Sequence, residues 1–515
     1  MSATLRISAS IDYAQAVEAL RDIAPRLSAK DSSLWGPEAQ AEASIRLGWI
    51  DLPNSSRDLL PELDSLSAWA RSKKLSTVVL CGMGGSSLAP EVIAKSFGKL
   101  LTVLDSTDPE QILAGVPADL STTVVVVGSK SGSTVETASQ KALFTQLFTD
   151  AGLQPSDHIV IVTDPGSPLD QSARTDGLKV VNANPNVGGR YSALSAFGLV
   201  PAALMGVDPS ILIDDAAALL ETLATPNSIA SQLAASIFAA GEQCVGFSDA
   251  GSAVPGLSDW IEQLVAESTG KNQTGRLPVV LESATAPLAG AGLRISLSNN
   301  ESADINVEAT LGEHFILWEY VTALLGYLLQ VDPFNQPNVT EAKDRTNALL
   351  ATWQSTGSLP QNKPAFTSAN LEIYSSSVSD SLQGQLRDFL ATDAHYFATM
   401  AYLHRGSDDA IAALRALIAS ATSKASTFGW GPRFLHSTGQ FHKGGQLNGA
   451  FLQITGENAS DCAIPGRDFT FHTLLMAQAL GDGEALSSRD LPLIRIHLKN
   501  RSAGIAEVLE AFTNL

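Results

Sequence analysis

Basic side chains are in short supply: 33 Lys and Arg stand against 53 Asp and Glu, for a formal net charge of −20. So acidic a chain repels phosphodiester backbones and anionic bilayers, which argues against nucleic acid or membrane as a partner. Cysteine is scarcer still. Cys81, Cys244 and Cys462 are too few and too widely spaced for a disulfide framework or a cysteine metal site. No stretch of ~18 residues is apolar and free of charge, so no membrane-spanning helix is expected. The opening MSATLRISASIDYAQ has no apolar signal core. Together with the cysteine usage this gives the expectation of a cytoplasmic protein. Scarcity also makes the remaining cations informative. An anionic substrate would need a local cluster of them, and Lys130, Arg190, Lys271, Lys343, Arg433 and Lys443 all sit in or beside Gly/Ser-rich turns.

What the chain does have is apolar bulk. At 515 residues and 44% hydrophobic it can bury large cores in roughly two to four domains. Its centre of gravity is Thr77 to Glu136, two strand–turn–helix units in tandem. TVVLCG and TVVVVG are β-branched runs without polar alternation, the pattern of strands buried on both faces of a parallel sheet. Each runs into a turn of Gly, Ser and Thr and then a helix. Such turns lie at the carboxyl end of the strand, where backbone N–H groups and the helix dipole attract an anion. Gly84, Gly85 and Ser86 form the first turn; Ser129, Lys130, Ser131, Ser133 and Thr134 form the second. Two hydroxyl-rich turns in succession favour a phosphate cradle. A dinucleotide site fits less well, because Ser87 stands where its third Gly belongs, although Asp105 is suitably placed for a ribose. A P-loop is excluded by the lack of Gly-Lys-Ser/Thr at the required spacing.

Along the rest of the chain, residues 1–75 read as helical packing. Strands are expected at His158 to Thr163 and Leu178 to Ala183, with a buried helix from Ala193 to Met205. Arg190 follows Gly188 and Gly189 directly, so that in an acidic protein it more plausibly meets an anion or an oxyanion than bulk water. Further on, helices fill Pro209 to Leu223 and Ile229 to Ala240, and strands Cys244 to Asp249 and 291–298. Glu267 closes a helix in Glu267-Ser-Thr-Gly-Lys271, where the dipole disfavours negative charge and suits a general base. The apolar helix Leu311 to Leu329 carries His314, read as a packed residue. Lys343 lies on a helix after the turn Phe334-Asn-Gln336-Pro. Residues 347–430 are expected to be helical with Ser-rich loops. Gly429 to Gly449 gathers Arg433, His436, Gln440, His442 and Lys443 into one loop, ahead of the strands Ala450 to Thr455 and Leu493 to Leu498. The i, i+6 pair His436 and His442, with no carboxylate near in sequence, gives no metal pattern.

Taken together these motifs resemble the glucose-6-phosphate isomerase family from about residue 76 onward. The most specific match is Asn186-Val-Gly-Gly-Arg-Tyr-Ser-Ala-Leu-Ser-Ala-Phe-Gly198; the two phosphate turns, Glu267-Ser-Thr-Gly-Lys271 and the Phe334 to Lys343 segment add to it. Asn338 and Thr340 depart from the family pattern at positions that are not catalytic. A larger departure is order: the family sets its histidine between base and lysine, whereas His436 follows Lys343. The C-terminal part resembles the isomerase portion of transaldolase–isomerase fusions.

The resemblance implies an α/β fold of two doubly wound, parallel-sheet sugar-isomerase-type (SIS) domains, each an α/β/α sandwich, with extra helices. Its domains would be a helical layer over 1–75, a first SIS domain over 76–206, and a second over 207–515 with a helical insertion at about 347–430. It implies interconversion of glucose 6-phosphate and fructose 6-phosphate through a cis-enediol, with no metal and no organic cofactor. Glu267 would be the base, Arg190 the enediolate stabiliser, and His436 with Lys343 the ring-opening pair. Gly84, Gly85, Ser86, Ser129, Lys130, Ser131, Ser133, Thr134, Gly189 and Gln336 would hold the sugar phosphate. The family takes its histidine from a partner subunit, which implies a homodimer. A mannose 6-phosphate activity and a catalytically silent sugar-phosphate sensor are the alternatives.

Overall fold

A computed structural model describes residues 3–8, 10–289, 292–360 and 362–515. The β-branched runs form the first sheet, five parallel strands ordered Thr102–Leu104, Thr77–Gly82, Thr123–Gly128, Ile159–Thr163 and Lys179–Asn182. Alternation explains why both faces are apolar. Val78, Leu80, Val124 and Val126 point into one core with Leu199 and Val200 of the helix Ala196–Leu204. Val79, Cys81, Val125 and Val127 point into another with Phe144, Phe148, Phe471 and Leu474. Numbered along the chain, the strand order is 2-1-3-4-5, which reverses between Thr77–Gly82 and Thr123–Gly128. A crevice opens at the carboxyl edge of such a reversal. The two hydroxyl-rich turns leave the sheet from these two strands.

The expected α/β class with parallel sheets holds, but the strands occupy three sheets. The second sheet runs Thr4–Ile7, Ile305–Glu308, Arg294–Ser296, Cys244–Ser248 and Leu277–Val280, parallel except for its antiparallel first edge. The third runs Phe366–Thr367, Leu371–Tyr374, Leu493–Leu498, Gly449–Gly456, Tyr396–Ala401 and Ala425–Trp430, with its last four strands parallel. Residues 347–430, expected to be helical, thus supply four strands of this sheet as well as helices. YFATMA and ASTFGW mix Ala, Ser and Thr with aromatics, so small residues masked runs that are buried at most positions. The parallel strands of the second and third sheets also follow the order 2-1-3-4. Residue 291, the start of one expected strand, lies outside the described residues; the strand itself is Arg294–Ser296. Among the described residues, no helix is long and apolar enough to cross a membrane.

The helix Leu311–Leu329, started by a capping box of Thr310 and Glu313, is buried over nearly its whole length. It therefore presents no polar stripe to water, and its two internal ionisable groups are stranded. His314 and Glu319 are both fully buried, and neither side chain has a hydrogen-bond partner among the described residues. Burial pushes His314 down to about 3 and Glu319 well above the carboxylate range, so that both are neutral in the fold. His314 makes stability fall as pH drops from 6.5 toward about 3, because the unfolded chain then binds the extra proton. Glu319 acts in the opposite sense: the folded chain holds the extra proton, so stability falls as pH rises above 4.5. Glu319→Met is expected to remove that alkaline loss and to stabilise the protein by about 1–3 kcal/mol at pH 8. Denaturant melts at pH 5 and pH 8 check this; an unchanged difference between the two would refute it.

Candidate active site

Three backbone segments meet at the first turn. Gly84 has φ +55°, and a Cβ on it would lie 2.7 Å from Gln263 Nε2 and 3.0 Å from the His436 carbonyl oxygen. A Cβ on Gly85 would lie 2.0 Å from the carbonyl oxygen of Gly189. Only glycine lets the turn after the first strand, the Gly189-Arg190 turn and the His436 segment touch.

Arg190 is the hub of the arrangement. It is 4% exposed, so every donor must find a protein partner. Nε donates to Ser268 Oγ at 2.8 Å, Nη1 to Gln336 Oε1 at 2.9 Å, and Nη2 to the carbonyls of Pro333 and Asn335. Nη1 also lies 3.3 Å from Glu267 Oε1. Glu267 sits in the last turn of the helix Leu257–Thr269, which ends at Gly270. Gln263, one turn earlier, donates through Nε2 both to Glu267 Oε2 at 3.1 Å and to the His436 carbonyl at 2.8 Å. One buried amide therefore aligns the Glu267 carboxylate and the histidine segment together.

His436 reaches the site from the third sheet of the same chain. It closes a short 3-10 turn, Arg433–His436, that follows the strand Ala425–Trp430. Its Nε2 lies 3.1 Å from Glu136 Oε1. Glu136 is 4% exposed and also accepts from Gln478 Nε2 at 2.7 Å. Burial pushes the Glu136 carboxyl up, but the hydrogen bond and charge of His436, with that of Lys343, bring it below the usual range. An ionised Glu136 can only accept, so it keeps a proton on Nε2 in either state of the ring, and in the neutral ring Nδ1 is the nitrogen left to take one.

Arg190, Gln263, Glu267 and His436 line a cavity of about 360 Å³, together with Gly84, Gly85, Ser86, Ser129, Lys130, Ser131, Thr134, Gly189 and Gln336. A smaller cavity of about 80 Å³, lined by Lys343, Glu136, Ser133 and Gln478, shares His436 as its common wall. Lys343 comes from the helix Pro337–Thr356. The short helix Gly439–Gly444 ties the end of the Glu267 helix to the start of the Lys343 helix. Its Gln440 donates to the Gly270 carbonyl at 2.9 Å and to Asn338 Oδ1 at 2.8 Å, and accepts from the Asn338 N–H.

Most of the expected residues converge, with some reassignments among the cations. Lys130 Nζ lies 2.6 Å from Asp164 Oδ2, so its charge is compensated before any anion arrives. Arg433 is paired with Glu91 and Asp105, and Lys443 with Asp482 in a bridge whose side chains are each 1% exposed. Lys271 is buried and donates to the Asp332 carbonyl. His314 lies in the core. Ser133 is exposed and lines the smaller cavity. Sequence reasoning missed Glu136, Gln263 and Gln478, and named Gln440 in its loop without a role. Glu136 had a signal, an acid in the first turn of the helix behind the second phosphate turn; Gln263 had one too, at i−4 from Glu267.

Residues 56–232 match the family model described as phosphoglucose isomerase. Curated proteins named glucose-6-phosphate isomerase are similar over the same kind of extent. That of Cyanothece sp. is 34% identical over 222 residues, 39% of this chain and 41% of that one. That of Citrifermentans bemidjiense is 42% identical over 154 residues, 28% of this chain and 29% of that one. That of Thermus thermophilus is 36% identical over 195 residues, 36% of this chain and 46% of that one. The matched chain thus spans less than half the length of each of these relatives. The crystal structure of a glucose-6-phosphate isomerase from Chlamydia trachomatis shares the fold at 20% identity and a TM-score of 0.50, covering 64% of this chain and 78% of that one.

The glycine contact carries a direct test. Gly85→Ala pushes a methyl group into the Gly189 backbone and is expected to cost about 1–3 kcal/mol. It should also abolish thermal stabilisation by inorganic phosphate. An alanine variant that melts like wild type and still gains from phosphate would show that the three segments need not touch.

Proposed function

With its phosphoglucose isomerase match and its glucose-6-phosphate isomerase relatives as premise, we propose that this chain interconverts glucose 6-phosphate and fructose 6-phosphate. The observation that carries the reading is the convergence of Arg190, Glu267 and His436 on one cavity floored by two hydroxyl-rich turns. The phosphate would sit on the N–H groups and hydroxyls around Ser86, Ser129, Ser131 and Thr134. With Lys130 held by Asp164, that recognition rests on neutral donors and the helix behind Thr134.

In the ring form, His436 takes the O1 proton and passes it to the ring oxygen as the C1–O5 bond breaks, with Lys343 across the shared wall, and the hexose opens. Glu267 then takes the proton from C2 of the open-chain aldose while O1 gains one, giving the cis-enediol. Loss of the O2 proton and return of the Glu267 proton to C1 completes the ketose. The reaction is redox-neutral overall and every proton is returned. Arg190 stays cationic throughout and, already desolvated and fixed by its neighbours, stabilises the enediolate oxygens without reorganising. Gln336, whose Oε1 is taken by Arg190, turns its amide nitrogen to substrate oxygens. A silent sensor would need the phosphate turns alone; the buried Glu136–His436 and Arg190–Glu267 pairs are costly to maintain without chemistry. The homodimer implied by the resemblance enters as a packing assembly, since His436 shares a cavity with Glu267 of its own chain.

Two outcomes follow. Glu267→Gln is expected to lower isomerisation by at least ~10²-fold while fructose 6-phosphate still raises the melting temperature; surviving turnover would remove Glu267 from the role of base. Co-expressing Glu267→Gln chains with His436→Ala chains should leave activity at the background of each alone. Recovery of a substantial fraction of wild-type turnover in the hybrids would mean that the histidine crosses between subunits.

A further inference from the structure

The segment that carries His436 is fastened to the first sheet by a buried ion cluster that takes no part in the reaction above. Arg433, three residues before His436, is 9% exposed. Its Nη1 donates to Glu91 Oε2 at 2.7 Å and to Asp105 Oδ2 at 2.8 Å. Glu91 lies on the helix Leu88–Ser96, directly behind the Gly84–Ser86 turn. Asp105 follows the edge strand Thr102–Leu104 and is 1% exposed. Arg405, which follows the strand Tyr396–Ala401 of the third sheet, adds Nη1–Glu91 contacts at 2.9 and 3.2 Å and lies 3.5 Å from Asp105. Two guanidinium groups from the third sheet thus meet two carboxylates from the first. Lys95, half exposed, joins Glu91 at 2.9 Å.

Burial pushes the Glu91 carboxyl up, but Arg433 and Arg405 overcome it and hold the group well below the usual range, so the cluster stays charged at every working pH. Buried charges satisfied in this way are seldom the most stabilising choice, and geometric specificity is one use for them. The geometry fixed here is that of His436. Its backbone carbonyl meets Gln263 and its ring meets Glu136, both from outside the third sheet. Arg433 lines neither cavity of the candidate active site, so it does not touch substrate.

We propose that Arg433 is a positioning residue: by locking onto Glu91 and Asp105 it sets the His436 ring against Glu136 and so controls ring opening. The proposal rests on reading His436 as the ring-opening group.

The test uses full-length Arg433→Lys, the charge-balanced pair Arg433→Met/Glu91→Gln, and the single Glu91→Gln, each with and without His436→Ala. Near-ultraviolet circular dichroism establishes which are folded, and Glu91→Gln, nearly isosteric with the native side chain, is the mildest of them. With His436 present, folded variants should lose about 10–100-fold in kcat, as expected for an ångström-scale displacement of a catalytic group. KM should stay within about threefold, because the phosphate turns are untouched. With His436 already replaced by Ala, the same changes should cost nothing further, since a residue that acts through His436 has nothing left to position. An equal loss in both backgrounds, or an unchanged kcat in a folded variant, overturns the positioning role. Absence of turnover in wild type would instead remove the isomerase reading, and no variant comparison would be interpreted through it.

Discussion

The site depends first on the burial of one guanidinium. Arg190 cannot leave its donors unsatisfied at 4% exposure, and its partners belong to two stretches of chain far apart in sequence. Ser268 and Glu267 end the helix from the second sheet; Pro333, Asn335 and Gln336 open the helix that leads to Lys343. Satisfying Arg190 therefore brings the end of the Glu267 helix and the start of the Lys343 helix together in one step. A lysine there would have a point charge and too few directed donors to hold both. The ion pair with Glu267 also orients the carboxylate, while Gln263 fixes its other oxygen. The Glu267 carboxylate is thus held at both oxygens, the preorganisation that the proposed role of base requires.

Polarity between the domains follows a consistent sense. The first sheet presents Glu91, Asp105 and Asp108 toward the third; the third answers with Arg405, Arg433 and Arg501. In a chain carrying −20, gathering arginines on one face of one domain is a considerable concentration of a scarce residue. Arg433, read from sequence as a candidate for meeting an anion, serves instead to join the third sheet to the first. Under the proposed function the substrate anion would fall chiefly to hydroxyls, backbone and a helix terminus.

This explains what was legible in the sequence and what was not. The first sheet was readable because its strands are β-branched runs and its turns are glycine and hydroxyl, signals that act locally. Glu267 and Arg190 were readable because helix end and glycine pair frame them. The third sheet was not, because Ala, Ser and Thr in YFATMA and ASTFGW look like helix or loop until neighbouring strands bury them. Arg433 and Lys443, read as candidates for meeting an anion, are instead paired with carboxylates that lie 328 and 39 residues away. Charge pairing at that range is a property of the fold and leaves no trace in spacing.

The order of the functional residues then has a topological explanation. All three sheets repeat the strand order 2-1-3-4 in their parallel parts. The first contributes the phosphate turns and is followed by Arg190, the second contributes the helix bearing Glu267, and the third contributes His436. Lys343 lies on the helix that links the second sheet to the third. A histidine that comes after the lysine in sequence can therefore share a cavity with Glu267, because the segment that carries it folds back across the first sheet. Its helix Phe471–Ser487 packs Phe471, Leu474 and Ala477 into the core beneath the first sheet, and Gln478 of that helix donates to Glu136. Hydrophobic burial brings the third domain home; the buried polar contacts, which are directional, set where the imidazole points.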